Sequence, residues 1–238
     1  MSNGVTHNSP SSAGSGNNST WIFVEEVVGR VLLILWFAFT VYLHWKGTWE
    51  QVTAAQPDFL ALTKTILSLT FSGLIVALTT IRRPPIAIAS GWMPRVAAFL
   101  GTFLIIGMPA LPAGQIGPFW SSVGIALMIV GLLSSVYSLA WLGRSFAVMA
   151  TARKLVTGGP YSIVRNPLYA CEMVTILGVV ITNFSLVAVL FGLATVALLC
   201  LRIIYEERIL AATFPEYAEY ARRVPRIFPR IFPRVVMA

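Results

Sequence analysis

Two groups of polar residues stand where very apolar runs meet polar loops. The first reads Leu155-Val156-Thr157-Gly158-Gly159-Pro160-Tyr161, then Val164-Arg165-Asn166-Pro167-Leu168-Tyr169. The second opens Arg202-Ile203-Ile204-Tyr205-Glu206-Glu207 and closes Phe214-Pro215-Glu216-Tyr217-Ala218-Glu219-Tyr220, then Arg223-Val224-Pro225. An apolar hairpin separates them. Ionisable groups at a membrane boundary are costly, so such crowding suggests a site.

In the first group, the residue before a proline avoids the α-region, so the chain is expected to be extended at Asn166. Pro167 suits the first helical position, with Asn166 as N-cap. A helix starting there presents free N–H groups and a positive dipole end, which bind anions such as a carboxylate. Gly158-Gly159-Pro160-Tyr161 predicts a tight turn whose backbone a ligand can approach. Tyr161 and Tyr169 offer flat faces and hydroxyls to a ring or sugar. Taken alone, these residues are better explained by an ordinary loop leading into a helix, with interfacial tyrosines, because N-caps and aromatic belts are common.

In the second group, Arg202 and Glu206 are spaced i, i+4 on one helix face, and Glu207 turns about 100° away. A structural ion pair near the end of a span is one reading. The sharper one is a guanidinium held by Glu206 and ready to grip a substrate carboxylate in a fork.

The elements that position these groups are membrane helices. The 238 residues are 57% hydrophobic and only 11% charged, with mean hydropathy +0.79; a soluble domain carries about 25% charged residues. Windows of roughly 20 apolar residues fall at 27–45, 62–81, 95–112 and 119–142. Apolar runs at 167–182 and 185–203 follow a polar stretch, 143–166, and turn at Asn183-Phe184-Ser185. The fold class expected is all-α, a polytopic membrane protein with about six spans. Three regions follow: a disordered Ser/Asn/Gly-rich tail at 1–20, a four-span region at 21–142, and a chemistry-bearing region at 143–238. Pro109 and Pro112 end the third span.

Charge orients the chain. Arg82, Arg83 and Arg95 flank one loop, and Arg144, Arg153, Lys154 and Arg165 fill another. Arg208, Arg222, Arg223, Arg226, Arg230 and Arg234 fill the C-terminal part, whereas 46–58 holds only Lys46 and 112–118 no basic residue. The positive-inside rule then predicts both termini and both polar groups on the cytosolic side. The net charge of +8 is accounted for by these loops and by anionic lipid, with no nucleic-acid partner expected. Arg30 and Lys64 snorkel to the interface. The repeat Arg226-Ile227-Phe228-Pro229, Arg230-Ile231-Phe232-Pro233 suits a segment lying on the membrane surface.

Other chemistry has little support. Cys171 and Cys200 lie in apolar segments without a CxxC pair, which argues against a disulfide framework or zinc. His7 sits in the polar tail and His44 at a span end, with no partners at metal-site spacing, so no metal is expected. The N-terminus lacks a signal-peptide pattern, and the Asn18-Ser19-Thr20 sequon is weak.

In order and spacing, residues 140–233 resemble the membrane-embedded, S-adenosylmethionine-dependent methyltransferases typified by isoprenylcysteine carboxyl methyltransferase. That family carries Leu-Val…Gly-x-Tyr…Arg-His-Pro-x-Tyr, a hairpin, Arg-x-x-x-Glu-Glu, then Phe-Gly-x-x-Tyr-x-x-Tyr…Arg-Val-Pro. The resemblance implies that Arg153, Lys154, Leu155, Val156, Tyr161, Asn166, Pro167, Leu168, Tyr169 and Glu206 line the cofactor site. It makes Arg202 the residue that binds the acceptor's carboxylate, with Arg165 and Glu207 in support. Three departures stand out: Asn166 replaces the usual His, Cys171 a usual Gly, and Pro215 a frequent Gly, with one residue fewer before Tyr217.

The implied reaction is direct methyl transfer from a sulfonium to a lipophilic acceptor. With a carboxylate both charges are neutralised, which a water-poor site favours, and no general base is needed. A phospholipid amine would instead need Glu206 or Glu207 as base. Two rivals remain: a transporter or scaffold with a structural polar cluster, and a membrane reductase. Paired intramembrane carboxylates or broken-helix repeats would mark an ion-coupled carrier, and neither is evident; a reductase would need a nicotinamide site, and no Gly-x-Gly-x-x-Gly is present. The methyl acceptor and the oligomeric state stay open.

Overall fold

The structure, a computed structural model, describes residues 15–56, 58–88, 91–107, 116–147 and 151–229. Seven helices are found among them: α1 (Ser15–Thr53), α2 (Phe59–Ile81), α3 (Trp92–Gly107), α4 (Pro118–Leu142), α5 (Pro167–Thr182), α6 (Leu186–Thr213) and α7 (Tyr217–Arg223). The all-α class holds.

Several boundaries differ from the expected ones, each for a local reason. Helix α1 begins at Ser15, so residues 15–20 of the expected disordered tail are helical; residues 1–14, with His7, lie outside the described residues. It also runs past 45 to Thr53. Thr48 and Thr53 donate their hydroxyls to the carbonyls of His44 and Trp49, at 2.8 Å each, and Lys46 pairs with Glu50 at i, i+4. His44 therefore lies inside a helix and not at a span end. Helix α6 runs ten residues past 203, because Arg, Glu and Leu sustain a helix and no proline intervenes before Pro215. Helix α3 starts at Trp92; Pro109 and Pro112 lie outside the described residues.

Among the described residues, four helices are long and apolar enough to cross a membrane: Val27–Thr53, Phe59–Ile81, Pro118–Ser145 and Leu186–Thr213. The 16-residue α5 is about 24 Å long, short of a hydrocarbon core of about 30 Å; α3 is described as far as Gly107. Side chains such as Leu32, Leu35, Phe99, Val130, Leu133 and Leu193 face outward. An apolar surface this continuous belongs in lipid.

Local caps set the turns. Asp58 Oδ1 accepts from the N–H groups of Leu60 and Ala61, at 2.9 and 3.2 Å, and opens α2. The expected turn between α5 and α6 is present: Asn183 Nδ2 donates to Val179 O at 2.9 Å, and Ser185 Oγ accepts from Ala188 N–H at 3.1 Å.

The helices pack in the sequence α1–α2–α4–α5–α6–α3. The α4–α5 contact is the closest, for want of side chains. A Cβ on Gly131 would lie 2.8 Å from Thr175 N and 2.9 Å from Cys171 O, and one on Gly178 2.8 Å from Met128 N. Small residues allow backbones to approach in this way where lipid supplies no hydrophobic drive. Leu33, Phe37, Ile75, Leu78, Leu139, Phe146 and Leu168 form one core cluster, and Tyr169, Ile176, Leu199 and Ile203 another.

The basic loops gather at one end of the bundle. Strands β1 (Ala87–Ile88) and β2 (Thr151–Ala152) pair antiparallel, with Ala87 opposite Ala152. Arg83 N–H donates to Arg144 O at 3.0 Å, and Arg144 Nε to Ile81 O at 2.9 Å. These bonds tie the loop after α2 to the loop after α4.

Candidate active site

A cavity of about 490 Å³ opens at this basic end and runs between the helices, a size suited to a small-molecule site. Of the residues expected at the cofactor site, Arg153, Lys154, Leu155, Val156, Tyr161, Asn166, Leu168, Tyr169 and Glu206 line it, and so does Arg202. Pro167 does not; it is buried at the first position of α5.

Three structural devices bring these residues together. The first is the turn at Gly159–Ser162. Gly159 has φ +59°, and the Trp141 ring of α4 occupies the space where its Cβ would be. A side chain there would meet both strain and a clash. The turn directs Tyr161 inward, and Tyr220 Oη of α7 donates to Tyr161 O at 2.6 Å. Burial, and then the nearby Glu206 carboxylate, pushes the Tyr161 phenol well above its ordinary range, so it stays a neutral hydroxyl. Burial likewise pushes Tyr220 up to about 12.

The second device is a clamp on Glu207. Its Oε1 accepts from Asn166 Nδ2 at 2.8 Å and Arg165 Nε at 3.1 Å. Its Oε2 accepts from Arg226 Nε at 2.9 Å and Arg165 Nη2 at 3.3 Å. The chain after α7 is strapped down as well: Arg165 N–H donates to Pro225 O at 2.8 Å and Asn166 N–H to Arg226 O at 3.1 Å. Bonding to Glu207 holds the Arg226 guanidinium above its ordinary pKa. Asn166 thus departs from the expected cap. It precedes α5 with φ −125° and ψ 57° and makes no side-chain cap bond; its amide NH2 donates to Glu207, which turns the side chain toward α6. Glu207, read as a supporting residue, is the hub joining α5, α6 and the strap.

The third device is the facing of α5 and α6. Tyr169 donates its hydroxyl to Glu206 Oε1 in a very short hydrogen bond. The Arg202 guanidinium lies over the Tyr169 ring, 5.1 Å from its centroid, a cation–π arrangement. Successive glutamates at 206 and 207 point about 100° apart, which separates the cavity wall from the clamp.

Two features were not singled out from the sequence. Glu172 lines the cavity and interacts electrostatically with Arg202. Its signal was legible: an acidic residue in an apolar helix, three positions after Tyr169 and so on the same face. The inner wall also carries Thr40, His44, Ser68, Ser72 and Ser135, from α1, α2 and α4. No spacing rule links residues so far apart in sequence. Among the described residues, no three or more His, Cys, Asp or Glu side chains gather as a metal-holding group.

The donor set suits the implied cofactor. An amino-acid carboxylate would find cations at Arg153 and Lys154, a sulfonium and an amine would find the Glu206 carboxylate, and a ring would find Tyr161 and apolar walls, all of which line the cavity. An elongated, mostly apolar site with charges at separate points is what such a mixed molecule needs.

The fold and this site define a membrane-embedded helical protein whose site carries its charged residues on the segment after α4 and on α5 and α6, with α1 and α2 closing its inner wall. Residues 119–217 match the model of the phospholipid methyltransferase family, which bears out the methyltransferase resemblance and extends it to include α4. The chain is similar to the cobalt-zinc-cadmium resistance protein CzcN of Cupriavidus metallidurans, 40% identical over 114 residues, covering 46% of this chain and 53% of that protein. It is similar to the nickel-cobalt-cadmium resistance protein NccN of Alcaligenes xylosoxydans xylosoxydans, 39% identical over 111 residues, 44% of this chain and 51% of that one. It is also similar to protein-S-isoprenylcysteine O-methyltransferase B of Arabidopsis thaliana, 34% identical over 113 residues, 44% of this chain and 57% of that one. The chain spans about half the length of these curated relatives.

Proposed function

We propose that this chain is an integral-membrane methyltransferase that uses S-adenosylmethionine and methylates a lipophilic acceptor, with a carboxylate as the favoured acceptor group. One observation carries the reading. The cavity joins a cation-bearing loop, Arg153–Tyr161, to the Tyr169–Glu206–Arg202 cluster inside a lipid-facing bundle. The relative named as an isoprenylcysteine O-methyltransferase supports the same chemistry.

When bound, the cofactor supplies an electrophilic methyl group on a sulfonium. The chain's own residues do the rest. Arg153 and Lys154 hold the cofactor's carboxylate, and Glu206, aimed by the Tyr169 hydroxyl, holds its positive end. Arg202, steadied over the Tyr169 ring, orients the acceptor carboxylate, and proximity supplies most of the gain. Apolar walls exclude water, which favours a reaction that neutralises two charges. The basic end faces the cytosol in this reading, so the cofactor enters from there and the acceptor from the bilayer.

Glu172 favours a second reading. A carboxylate beside Arg202 can accept the proton that an amine must lose on methylation, so a phospholipid amine is the alternative acceptor. Titration calorimetry of S-adenosylhomocysteine with purified protein in detergent tests the shared part. Micromolar binding that weakens at least tenfold in Glu206→Ala is expected. Absence of binding to a folded, monodisperse sample would overturn the cofactor assignment.

A further inference from the structure

The inner end of the cavity is lined by Phe37, Leu43, Phe71, Ile75 and Leu132, yet among them stand polar groups that a plain hydrocarbon cannot use. Its wall carries Thr40 and His44 of α1, Ser68 and Ser72 of α2, and Ser135 of α4. All three helices belong to spans long enough to cross the bilayer. Ser72 lies nine residues before the end of α2 at Ile81, about 13 Å along the axis. Ser135 lies seven residues before the end of α4 at Leu142, about 10 Å along the axis. Both therefore sit well inside the hydrocarbon depth, on the same side of its middle.

At that depth every polar group needs a partner within the protein or in something it binds. Thr40 is satisfied locally, donating to Phe37 O at 2.9 Å. Ser72 Oγ and His44 Nδ1 lie 3.3 Å apart and share one hydrogen bond, which leaves the hydroxyl a second lone pair and leaves the ring its other nitrogen. Ser135 is different. It is 1% exposed, and among the described residues its hydroxyl has no hydrogen-bond partner. A serine in α4 closes on nothing here, although Thr175 and Thr182 of the facing α5 return their hydroxyls to backbone carbonyls. A buried, unpaired hydroxyl on a cavity wall is costly unless a bound group completes it.

We propose that this inner end is a second binding subsite, built by the N-terminal spans, for an oxygen-bearing segment of a lipid chain. The ligand is a lipophile with a hydroxyl or carbonyl part-way along its apolar length, set against Ser135 and the Ser72–His44 pair. A plain prenyl or acyl chain leaves these groups unanswered. The polar groups of the subsite come from α1, α2 and α4, whereas Tyr169, Glu206 and Arg202 lie on α5 and α6. That its ligand is also the methyl acceptor rests on the proposed function; that it binds an oxygenated chain does not.

The test uses 1-octadecanol and its 8-, 10- and 12-hydroxy derivatives, whose neutral ends avoid any demand on Arg202 or Glu172. Binding to the full chain in detergent is read by native mass spectrometry, in pairwise competition at equal concentration. At least one hydroxylated chain is expected to outcompete 1-octadecanol about fivefold, the worth of one net hydrogen bond. Ser135→Ala and Ser72→Ala should each shrink that preference toward one, while 1-octadecanol itself binds as before. Equal binding of all four, binding of none, or a preference that survives both substitutions overturns the proposal; the inner end then holds water. S-adenosylhomocysteine binding, measured in parallel, keeps the two readings apart. If it is absent while the hydroxyl preference holds, the methyltransferase reading fails and the lipid subsite stands. If it is present without the preference, the reverse is true.

Discussion

Replacing Glu207 with Ala should loosen the chain after α7 more than any other single change at the site. The carboxylate accepts five donor contacts from Arg165, Asn166 and Arg226. The partners are unequal. The Arg165 side chain is 12% exposed and Glu207 9%, but Arg226 is 52% exposed and rehydrates freely once released. Only the Arg165 and Asn166 losses count fully. Removing one partner of a buried pair costs about 3–5 kcal/mol; Arg165 keeps its bond to Ala221 O at 2.7 Å, so about 2–3 kcal/mol is expected. For a chain of this size that shifts an unfolding midpoint by about 4–12 °C. The assay is thermal unfolding in detergent, paired with limited proteolysis at the exposed Arg222 and Arg223. Glu207→Ala should unfold earlier and be cut faster there, and Glu207→Gln should fall between the two. A midpoint within 1 °C of wild type would refute the view that Glu207 holds α5, α6 and the strap together.

Other expectations follow from the same geometry. Tyr169→Phe removes the hydroxyl donated to Glu206 and should weaken S-adenosylhomocysteine binding by about 3- to 10-fold in calorimetry, with the fold unchanged by circular dichroism. Arg202→Ala should abolish transfer to a carboxylate acceptor while leaving cofactor affinity within about threefold, since uniform binding is not its role; intact turnover would remove Arg202 from acceptor binding. Gly159→Ala places a Cβ against Trp141 at φ +59° and should cost about 1–3 kcal/mol, seen as a lower unfolding midpoint. Tyr161, Tyr217 and Tyr220 are all raised, burial being the first cause. Their unfolded phenols ionise near pH 10 while the folded ones keep their protons, so the unfolded state binds fewer protons there. Stability should be insensitive to these groups below about pH 10 and fall above it, less steeply in Tyr161→Phe.

The chemistry was legible where it was local. Gly158-Gly159-Pro160-Tyr161 announced the turn, and the Arg202–Glu206 spacing announced a shared helix face. Long-range partnership was not legible. Asn166 was expected to cap α5, because an Asn before Pro at a helix start normally does so. Its side chain turns instead to Glu207, 41 positions away, where the amide NH2 donates to a carboxylate, a charge-assisted bond stronger than the neutral one a cap oxygen would accept. Glu172 was readable by facing alone and was passed over in an apolar run. The boundaries of α1 and α6 were underestimated because hydropathy windows stop at polar residues, whereas helices stop at breakers. The inner wall of the cavity could not be read at all, since α1, α2 and α4 meet only through packing.

The most direct test of the central claim is methyl transfer itself. Purified protein is reconstituted with a lipid extract that includes prenylcysteine and phosphatidylethanolamine acceptors. Methyl-tritiated S-adenosylmethionine is then supplied from the face that carries the basic loops. The account predicts label in the organic phase, base-labile if the acceptor is a carboxylate and base-stable if it is an amine, and lost in Glu206→Ala. Label that never exceeds a protein-free control, in a sample that still binds the cofactor's demethylated product, would contradict it.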